Sequence, residues 1–175
     1  MEEIILKRAA QGDKEAYAEL VRIHYKTVEK FAFQCGVNYS DIQDVTQEVF
    51  IKLYRFLHQF HEAKFTTWLY KVTLNTARDY YRKEQREKLK EAKLLQQDWA
   101  TDVHIDEEDT ALHEAILALG EKYRIPIVLY YFHGLKYEEI AEILSISLST
   151  VKVRILRAKE QLKQVLQQGG LSYGR

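Results

Sequence analysis

The chain has 175 residues, of which 46% are hydrophobic and 30% charged, and its formal net charge is zero. This composition is typical of a soluble folded protein and is too apolar for a disordered one. The single cysteine, Cys35, excludes an intrachain disulfide and suits a reducing cytosol. Since the sequence also lacks an apolar run of about 18 residues and a signal-peptide core, we expect a cytoplasmic protein without membrane insertion.

Seven glycines and one proline argue for long helices with few tight turns. Nowhere do β-branched residues alternate with polar ones, as they would in strands. We therefore predict an all-α fold of two small helical domains. The predicted domains are residues 1–88 and 108–175, and an acidic linker at residues 89–107 joins them.

The charged residues are distributed in blocks, although the total is zero. Residues 1–60 carry a net charge of −1 and residues 61–93 carry +4, whereas residues 94–121 carry −8 and residues 122–175 carry +5. Two basic blocks separated by an acidic one indicate two surfaces that face nucleic acid. The acidic block could equally be a solvated linker whose charge keeps it extended.

The first domain begins with a short apolar-rich helix at residues 4–10, which Gly12 ends. Asp13 is placed to cap a longer helix that runs to Cys35. Ser40 or Asp41 is predicted to cap the next helix in the same way.

That next helix, at residues 42–57, is amphipathic. Its apolar side is formed by Ile42, Val45, Val49, Leu53 and Leu57. Its polar side carries Asp44, Gln47, Glu48, Lys52 and Arg55, which are available to a partner.

A His-containing connection then leads into a second helical pattern, whose outer side is basic. The apolar positions are Val72, Leu74, Ala77 and Tyr81, and the outer positions are Arg78, Arg82, Lys83 and Arg86. We place Phe65, Trp68 and Leu69 in the core because helix-spaced aromatic and aliphatic side chains are usually buried.

The second domain starts near Thr110, and we expect Pro126 to lie in the first turn of its second helix. Residues 137–144 and 148–166 then form a helix-turn-helix around a tight polar turn. Val151, Ile155, Ala158 and Leu162 form the buried stripe of its second helix. On the other side, lysine or arginine can contact guanine acceptors, and Val153 or Leu156 can contact thymine methyl groups.

Two motifs carry a family resemblance. The pattern DxxDxxQEVFxKxY from Asp41, followed by FxTWLYxxxxNxAxDxxR from Phe65, resembles region 2 of bacterial sigma factors of the extracytoplasmic-function (ECF) group. Residues 135–166 resemble region 4.2 of the same family, which reads the −35 promoter element. The resemblance covers residues 1–88 and 108–168 and leaves the linker unmatched.

The resemblance implies three interaction surfaces and a set of partners. The partners are RNA polymerase core (β′ clamp helices and β flap), promoter DNA and an anti-sigma factor. The implied polymerase-binding residues are Asp41, Asp44, Gln47, Glu48, Lys52 and Arg55. Those implied at the −10 element are His61, Lys64, Thr66, Thr67, Asn75, Arg78 and Arg82. Those implied at the −35 element are Ser149, Thr150, Lys152, Val153, Leu156 and Arg157.

The chain departs from the family pattern at two positions, neither of which faces DNA. Lys136 stands where the family commonly has the serine or threonine of a capping box with Glu139, so this cap is expected to be weaker by roughly 1 kcal/mol. Gly120 stands where the family commonly has proline.

Other readings of the sequence stay open at this point. A stand-alone helix-turn-helix regulator would bind duplex operators and dimerise through residues 1–88, and a helical adaptor would not bind DNA at all. His58 and His61 are three residues apart, but no second pair or nearby cysteine completes a metal site, so we expect no metal and no cofactor. Because no catalytic constellation is present either, we expect that the protein is not an enzyme.

Overall fold

The computed structural model describes residues 1–60, 64–91 and 107–168. Those residues contain eight α-helices and no strand, which confirms the predicted all-α fold. The chain divides into two compact units, Met1–Thr101 and Asp102–Arg175. The predicted linker at residues 89–107 lies largely outside the described residues, so its bounds stay a prediction. Within the described part, none of the helices is both long and apolar enough to span a bilayer.

The described residues of the N-terminal unit form a bundle of four helices. They are α1 (Glu2–Ala10), α2 (Lys14–Gln34), α3 (Ile42–Phe56) and α4 (Phe65–Glu91), with 3-10 turns at Tyr39–Asp41 and Leu57–Gln59. Gly12 adopts a φ of 98° between α1 and α2, a conformation that favours glycine. Asp13 caps α2 as predicted, because its Oδ1 accepts hydrogen bonds from the amides of Glu15 and Ala16 at 3.0 and 3.1 Å.

The core of this unit lies between α1, α2, α3 and α4. All five apolar positions predicted for the α3 region are buried, and Leu53 and Leu57 pack with Leu20 and Leu69 in one cluster. Phe65 and Leu69 are in the core as predicted. Trp68 is only half-buried and packs against the edge of that cluster, so its placement in the core was partly wrong.

The predicted cap of α3 is wrong. Neither Ser40 nor Asp41 caps the helix through its side chain, because the chain enters α3 through the 3-10 turn. The carboxylate of Asp41 is instead engaged by α4, where the hydroxyl of Tyr80 donates a 2.5 Å hydrogen bond to Oδ2.

The C-terminal unit has four further helices. They are α5 (Glu107–Ala118), α6 (Glu121–Tyr131), α7 (Tyr137–Leu144) and α8 (Leu148–Gln168), and α8 packs against the other three. The turn between α7 and α8 contains Ser145 in the left-handed region, at φ 54° and ψ 46°. The predicted helix-turn-helix is thus present as α7, this turn and α8.

Two local expectations for this unit change. Pro126 is the sixth residue of α6 and is buried, so it lies beyond the first turn that we predicted for it. The helix tolerates it at the loss of one backbone hydrogen bond, because proline has no N–H. At the start of α7 the side chain of Glu139 accepts a hydrogen bond from the Lys136 amide at 3.2 Å. This is one of the two bonds of a capping box, and it does not depend on the side chain at position 136.

Candidate functional site

The first predicted surface lies along the outer side of α3. Asp44, Gln47, Glu48 and Arg55 are exposed there, as the periodicity of the helix requires. Asp41 and Lys52 are half-buried, because both face α4. The six residues therefore form one surface, but they are not equivalent in their access to a partner.

Lys52 links α3 to α4. Its ammonium donates to Oγ1 of Thr76 at 3.1 Å and lies 3.8 Å from a carboxylate oxygen of Asp79, both in α4. It also lies 3.5 Å from Glu48 on its own helix. Lys52 therefore contributes to the packing of α3 against α4, and it is also partly accessible at the edge of the surface.

Asp41, like Lys52, contacts α4 and also lies at the edge of the surface. Its bond from Tyr80 lies in a half-buried setting, and burial together with the hydrogen bond to Asp41 raises the pKa of the tyrosine hydroxyl. The phenol therefore stays protonated and keeps donating at physiological pH.

Part of this surface is not among the residues predicted from the sequence. Ile51 and Tyr54 are exposed beside the charged residues of α3, and their positions between Gln47 and Arg55 could have indicated this. From α4, Asp79, Glu84 and Glu87 line a cleft of about 390 Å³ together with residues of α3. The surface is therefore partly apolar and more acidic than the α3 sequence alone indicated.

The second predicted surface lies on the outer side of α4 and just before it. Lys64, Asn75 and Arg82 are exposed, whereas Thr66 and Arg78 are half-buried. Nη1 of Arg78 donates to Oδ1 of Asn75 at 3.5 Å, so these two side chains lie together. His61 lies outside the described residues. Lys71, four residues before Asn75, extends the same side and was missed by the sequence analysis.

Thr67 is placed differently from the expectation. Its side chain is 3% exposed, and its hydroxyl has no hydrogen-bond partner within the described parts of the chain. The helical period explains this, since Thr67, Tyr70 and Leu74 form a buried stripe on the side of α4 that faces the core. In this structure Thr67 does not present its hydroxyl to a ligand, and we correct its assignment to a core position.

An aromatic pocket lies next to this surface. Phe56, Gln59, Phe60 and Trp68 line an open cavity of about 320 Å³. The rings of Phe60 and Trp68 are stacked, with centroids 5.0 Å apart and planes at 16°. Flat aromatic walls of this kind can stack against an unpaired base. The sequence analysis had assigned Trp68 to the core and had not singled out Phe56 or Phe60.

The third predicted surface is the outer side of α8. Val151, Ile155 and Ala158 are buried as predicted, while Leu162 is only half-buried. On the opposite side Lys152, Val153, Leu156 and Arg157 are exposed, as is Ser149 at the start of the helix. Thr150 is half-buried.

A further feature of the C-terminal unit is an apolar groove of about 720 Å³ between α5, α6 and α8. Its apolar lining includes Leu112, Ile116, Ile127, Leu162 and Leu166. Lys159 and Lys163 lie at its rim, and the ammonium of Lys159 sits 5.2 Å from the ring centroid of Tyr131. A hydrogen bond with the Tyr131 hydroxyl raises the pKa of Lys159, so this side of the groove is firmly cationic.

Histidine, cysteine, aspartate and glutamate side chains form no metal centre in the described structure. Within residues 1–60, 64–91 and 107–168, no three of them are grouped in a way that could hold a metal ion. The acidic cleft between α3 and α4 is included in that result.

Family comparisons match both units. Residues 20–87 match Sigma-70 region 2, and residues 109–162 match Sigma-70, region 4. The chain is 33% identical to the ECF RNA polymerase sigma-E factor of Haemophilus influenzae, over 95% of each chain. It is also 33% identical to the ECF RNA polymerase sigma factor SigW of Bacillus subtilis, over 95% of this chain and 98% of the relative.

Solved structures show the same fold. CnrH, in complex with the cytosolic domain of CnrY, matches with a TM-score of 0.75 and 27% identity, over 95% of this chain and 97% of that chain. The sigma factor RpoE of Bartonella quintana, in complex with the anti-sigma factor NepR, matches with a TM-score of 0.71 and 21% identity. That match covers 86% of this chain and 96% of the RpoE chain.

Proposed function

Because this chain belongs to the ECF group of RNA polymerase sigma factors, we propose a specific role for each of its three surfaces in transcription initiation. The outer side of α3 binds RNA polymerase core, α4 binds the −10 element, and α8 reads the −35 element. The observation that carries this assignment is that each helix buries one side and leaves the predicted charged side chains on the other.

Polymerase docking rests on Asp44, Gln47, Glu48 and Arg55, which are exposed along three turns of α3. Exposed Tyr54 beside them adds the kind of aromatic anchor that often dominates a protein interface. Asp41 and Lys52 contribute mainly by holding α4 against α3, and we expect the β′ clamp helices to contact them at the edge of the surface.

At the −10 element, α4 has the features that a single strand requires. Lys64, Lys71, Arg78 and Arg82 supply cations for phosphates. Asn75 lies among them and can form hydrogen bonds with a base edge, while the pocket of Phe56, Phe60 and Trp68 can stack against a base. We keep Thr66 in this set as a half-buried residue, we leave Thr67 out, and His61 stays a sequence-based proposal.

At the −35 element, Lys152 and Arg157 are the cations of the exposed side of α8. A helix that presents them toward the major groove can pair them with guanine acceptors or with phosphates. The groove between α5, α6 and α8 is our candidate site for the β flap, since its apolar floor and lysine rim fit an amphipathic segment with acidic flanks.

The family also implies regulation by an anti-sigma factor, and RpoE was solved in complex with one. We propose a partner of this class for the present chain, which would compete with polymerase for the surface on α3. We further propose that the protein has no catalytic activity of its own and acts in the cytoplasm, where RNA polymerase is.

The direct experiment is run-off transcription with purified RNA polymerase core and a genomic promoter library. We expect specific transcripts only when the chain is added, and tight promoter binding only in the presence of core. Tight binding of a palindromic duplex without polymerase would support the alternative of a stand-alone regulator. Similarity to sigma factors over nearly the whole chain argues against that alternative.

Substitutions separate the surfaces. Lys152→Ala and Arg157→Ala are each expected to weaken promoter binding by about 1–3 kcal/mol for every direct interaction with a base that the substitution removes. Glu48→Ala and Arg55→Ala should instead weaken binding to core, and should leave promoter binding unchanged when core is present at a saturating concentration. Lys26→Ala, which removes an exposed cation of α2 outside all three surfaces, is the matched control and should change neither.

A further inference from the structure

The hydroxyl groups at the start of α8 are already engaged within the protein. Oγ of Ser147 accepts a hydrogen bond from the Thr150 amide at 3.2 Å, which caps the helix. The same oxygen lies 2.6 Å from the Thr150 hydroxyl and 3.1 Å from the Ser149 hydroxyl. Two of the predicted −35 residues, Ser149 and Thr150, therefore belong to a local network, which lowers their value as readers of base edges.

The next turn of α8 presents two aliphatic side chains to solvent. Val153 is 45% exposed and Leu156 is 60% exposed, on the side opposite buried Ile155. Residues three apart on a helix are neighbours on its surface, and their backbones are separated by roughly 4.5 Å along the axis. This apolar pair, Val153 and Leu156, has no hydrogen-bonding group, so it can discriminate bases only through shape and apolar contact.

The apolar pair lies between two cations. Lys152 precedes Val153, and Arg157 follows Leu156, so at about 100° per residue the two charges project to opposite flanks of the pair. In a major groove this arrangement directs the cations toward guanine acceptors or phosphates on either side. It leaves the apolar pair over the centre of the contacted bases.

We propose that Val153 and Leu156 read the C5-methyl groups of neighbouring thymines in the −35 element. The inference rests on the proposed function, since it requires that α8 enters the major groove. The thymine methyl is the one apolar group that an unmodified base pair displays there. Neighbouring bases on a strand are about 3.4 Å apart along the duplex, so two side chains less than one helical turn apart are near enough to contact neighbouring bases. The −35 element of this protein therefore contains thymines at its centre, on one strand or split between both.

The test replaces thymine by uracil, which removes the methyl group and leaves the base pair intact. Each thymine in the −35 region of a promoter bound by the holoenzyme is replaced in turn, and the affinity of the holoenzyme is measured. At one or two positions we expect the affinity to fall about fourfold, which corresponds to the free energy of burying one methyl-sized group. Thymines outside both the −35 and the −10 elements should be insensitive to the same change in this binding assay.

Variants then connect the methyl group to the side chain. Val153→Ala or Leu156→Ala should lower affinity for thymine DNA and abolish the difference between thymine and uracil at one position. Lys152→Ala should lower affinity for both DNAs by the same factor. Ile4→Ala is the matched aliphatic control, because Ile4 is exposed on α1 and lies outside the three surfaces.

Two results would overturn the inference while leaving the proposed function intact. One is a promoter whose −35 thymines all tolerate uracil within experimental error. The other is uracil sensitivity that persists in both alanine variants, which would show that another group contacts the methyls. A holoenzyme that binds no promoter fragment would overturn the proposed function itself and this inference with it.

Discussion

The hydroxyl of Tyr80 in α4 donates a 2.5 Å hydrogen bond to Oδ2 of Asp41, the residue that precedes α3. This bond joins the helix assigned to polymerase docking to the helix assigned to the −10 element. Asn38 and Glu84 make a second link nearby, with Nδ2 donating to Oε1 at 2.5 Å. These polar contacts add to the apolar packing between α3 and α4 in fixing the relative position of the two surfaces in the N-terminal unit.

Replacing Tyr80 by phenylalanine removes the donor and leaves the Asp41 carboxylate without this partner. We expect the free energy of unfolding to fall by about 1.5 kcal/mol, the lower end for a hydrogen bond to a charged group, because the site is half-buried. Urea denaturation measures the change. Tyr81→Phe is the matched control, since Tyr81 is exposed on the same helix and should leave stability unchanged. Equal stability of Tyr80→Phe and the parent chain would show that the bond contributes nothing.

Thr46 is a second site where substitution should change stability, and here we expect the free energy of unfolding to increase. Its side chain is 0% exposed, and its hydroxyl has no hydrogen-bond partner in the part of the chain that the structure describes. Because burial of an unpaired hydroxyl is unfavourable, Thr46→Val is expected to raise the free energy of unfolding by about 1 kcal/mol.

The control for Thr46 is Thr73, which is equally buried but has a partner. Its hydroxyl donates to the Leu69 carbonyl at 2.7 Å. Thr73→Val should therefore give no gain in thermal or urea denaturation. A loss of stability in Thr46→Val would mean that its hydroxyl does have a partner in solution.

Ser145 forms the turn between α7 and α8 in a conformation that is costly for a residue with a Cβ atom. Ser145→Gly should raise the free energy of unfolding by about 0.5–1 kcal/mol, because glycine adopts a positive φ without this penalty. Ser145→Ala keeps the Cβ atom and should give no gain. If the alanine variant is stabilised as much as the glycine variant, backbone strain is not the cause.

His113 should make the C-terminal unit less stable in mild acid. Burial lowers the pKa of His113 below 6.5, and nearby Arg124 lowers it further, while Glu114 opposes the shift. As the pH falls below 6.5, the unfolded chain therefore takes up a proton that the folded chain does not, so stability present above that pH is lost. The loss ends once the pH has passed below the pKa of the folded state.

Denaturation midpoints at about pH 7.5 and about pH 5.5 measure this effect. The decrease in the denaturation midpoint between the two pH values should be smaller in His113→Gln than in the parent chain. Other titratable groups contribute to the decrease in both proteins. An identical decrease in the two proteins would contradict a role for His113.

Sequence periodicity was sufficient for much of the fold. The burial of Val49 and Leu53 in α3 and of Val151 and Ile155 in α8 follows from apolar residues that recur at the helical period. The cap at Asp13 was also predictable, because its partners are amides two and three residues away. These features are local, and the chemistry of the neighbouring residues decides them.

Two of the predictions that failed concern the way α4 packs against the rest of the bundle. Asp41 was expected to cap α3, but Tyr80, 39 positions away, engages its carboxylate. Thr67 was expected at the −10 element because of the family resemblance, yet its side chain is buried on the side of α4 that faces the core. The burial of Thr67 agrees with the helical period that it shares with Tyr70 and Leu74, whereas no property of the local sequence indicates the contact between Asp41 and Tyr80.

The sequence by itself determined the family, the all-α class and the residue types on the three surfaces, because each is encoded in patterns within one or two helices. Tertiary structure decided which of those residues remain accessible. Lys52 contacts Thr76 and Asp79, and the hydroxyls of Ser149 and Thr150 form hydrogen bonds with the Ser147 hydroxyl, whereas Val153 and Leu156 stay in solvent. The reason is physical: a polar side chain that folding has already paired must give up that partner to bind another, which lowers the net gain in binding free energy.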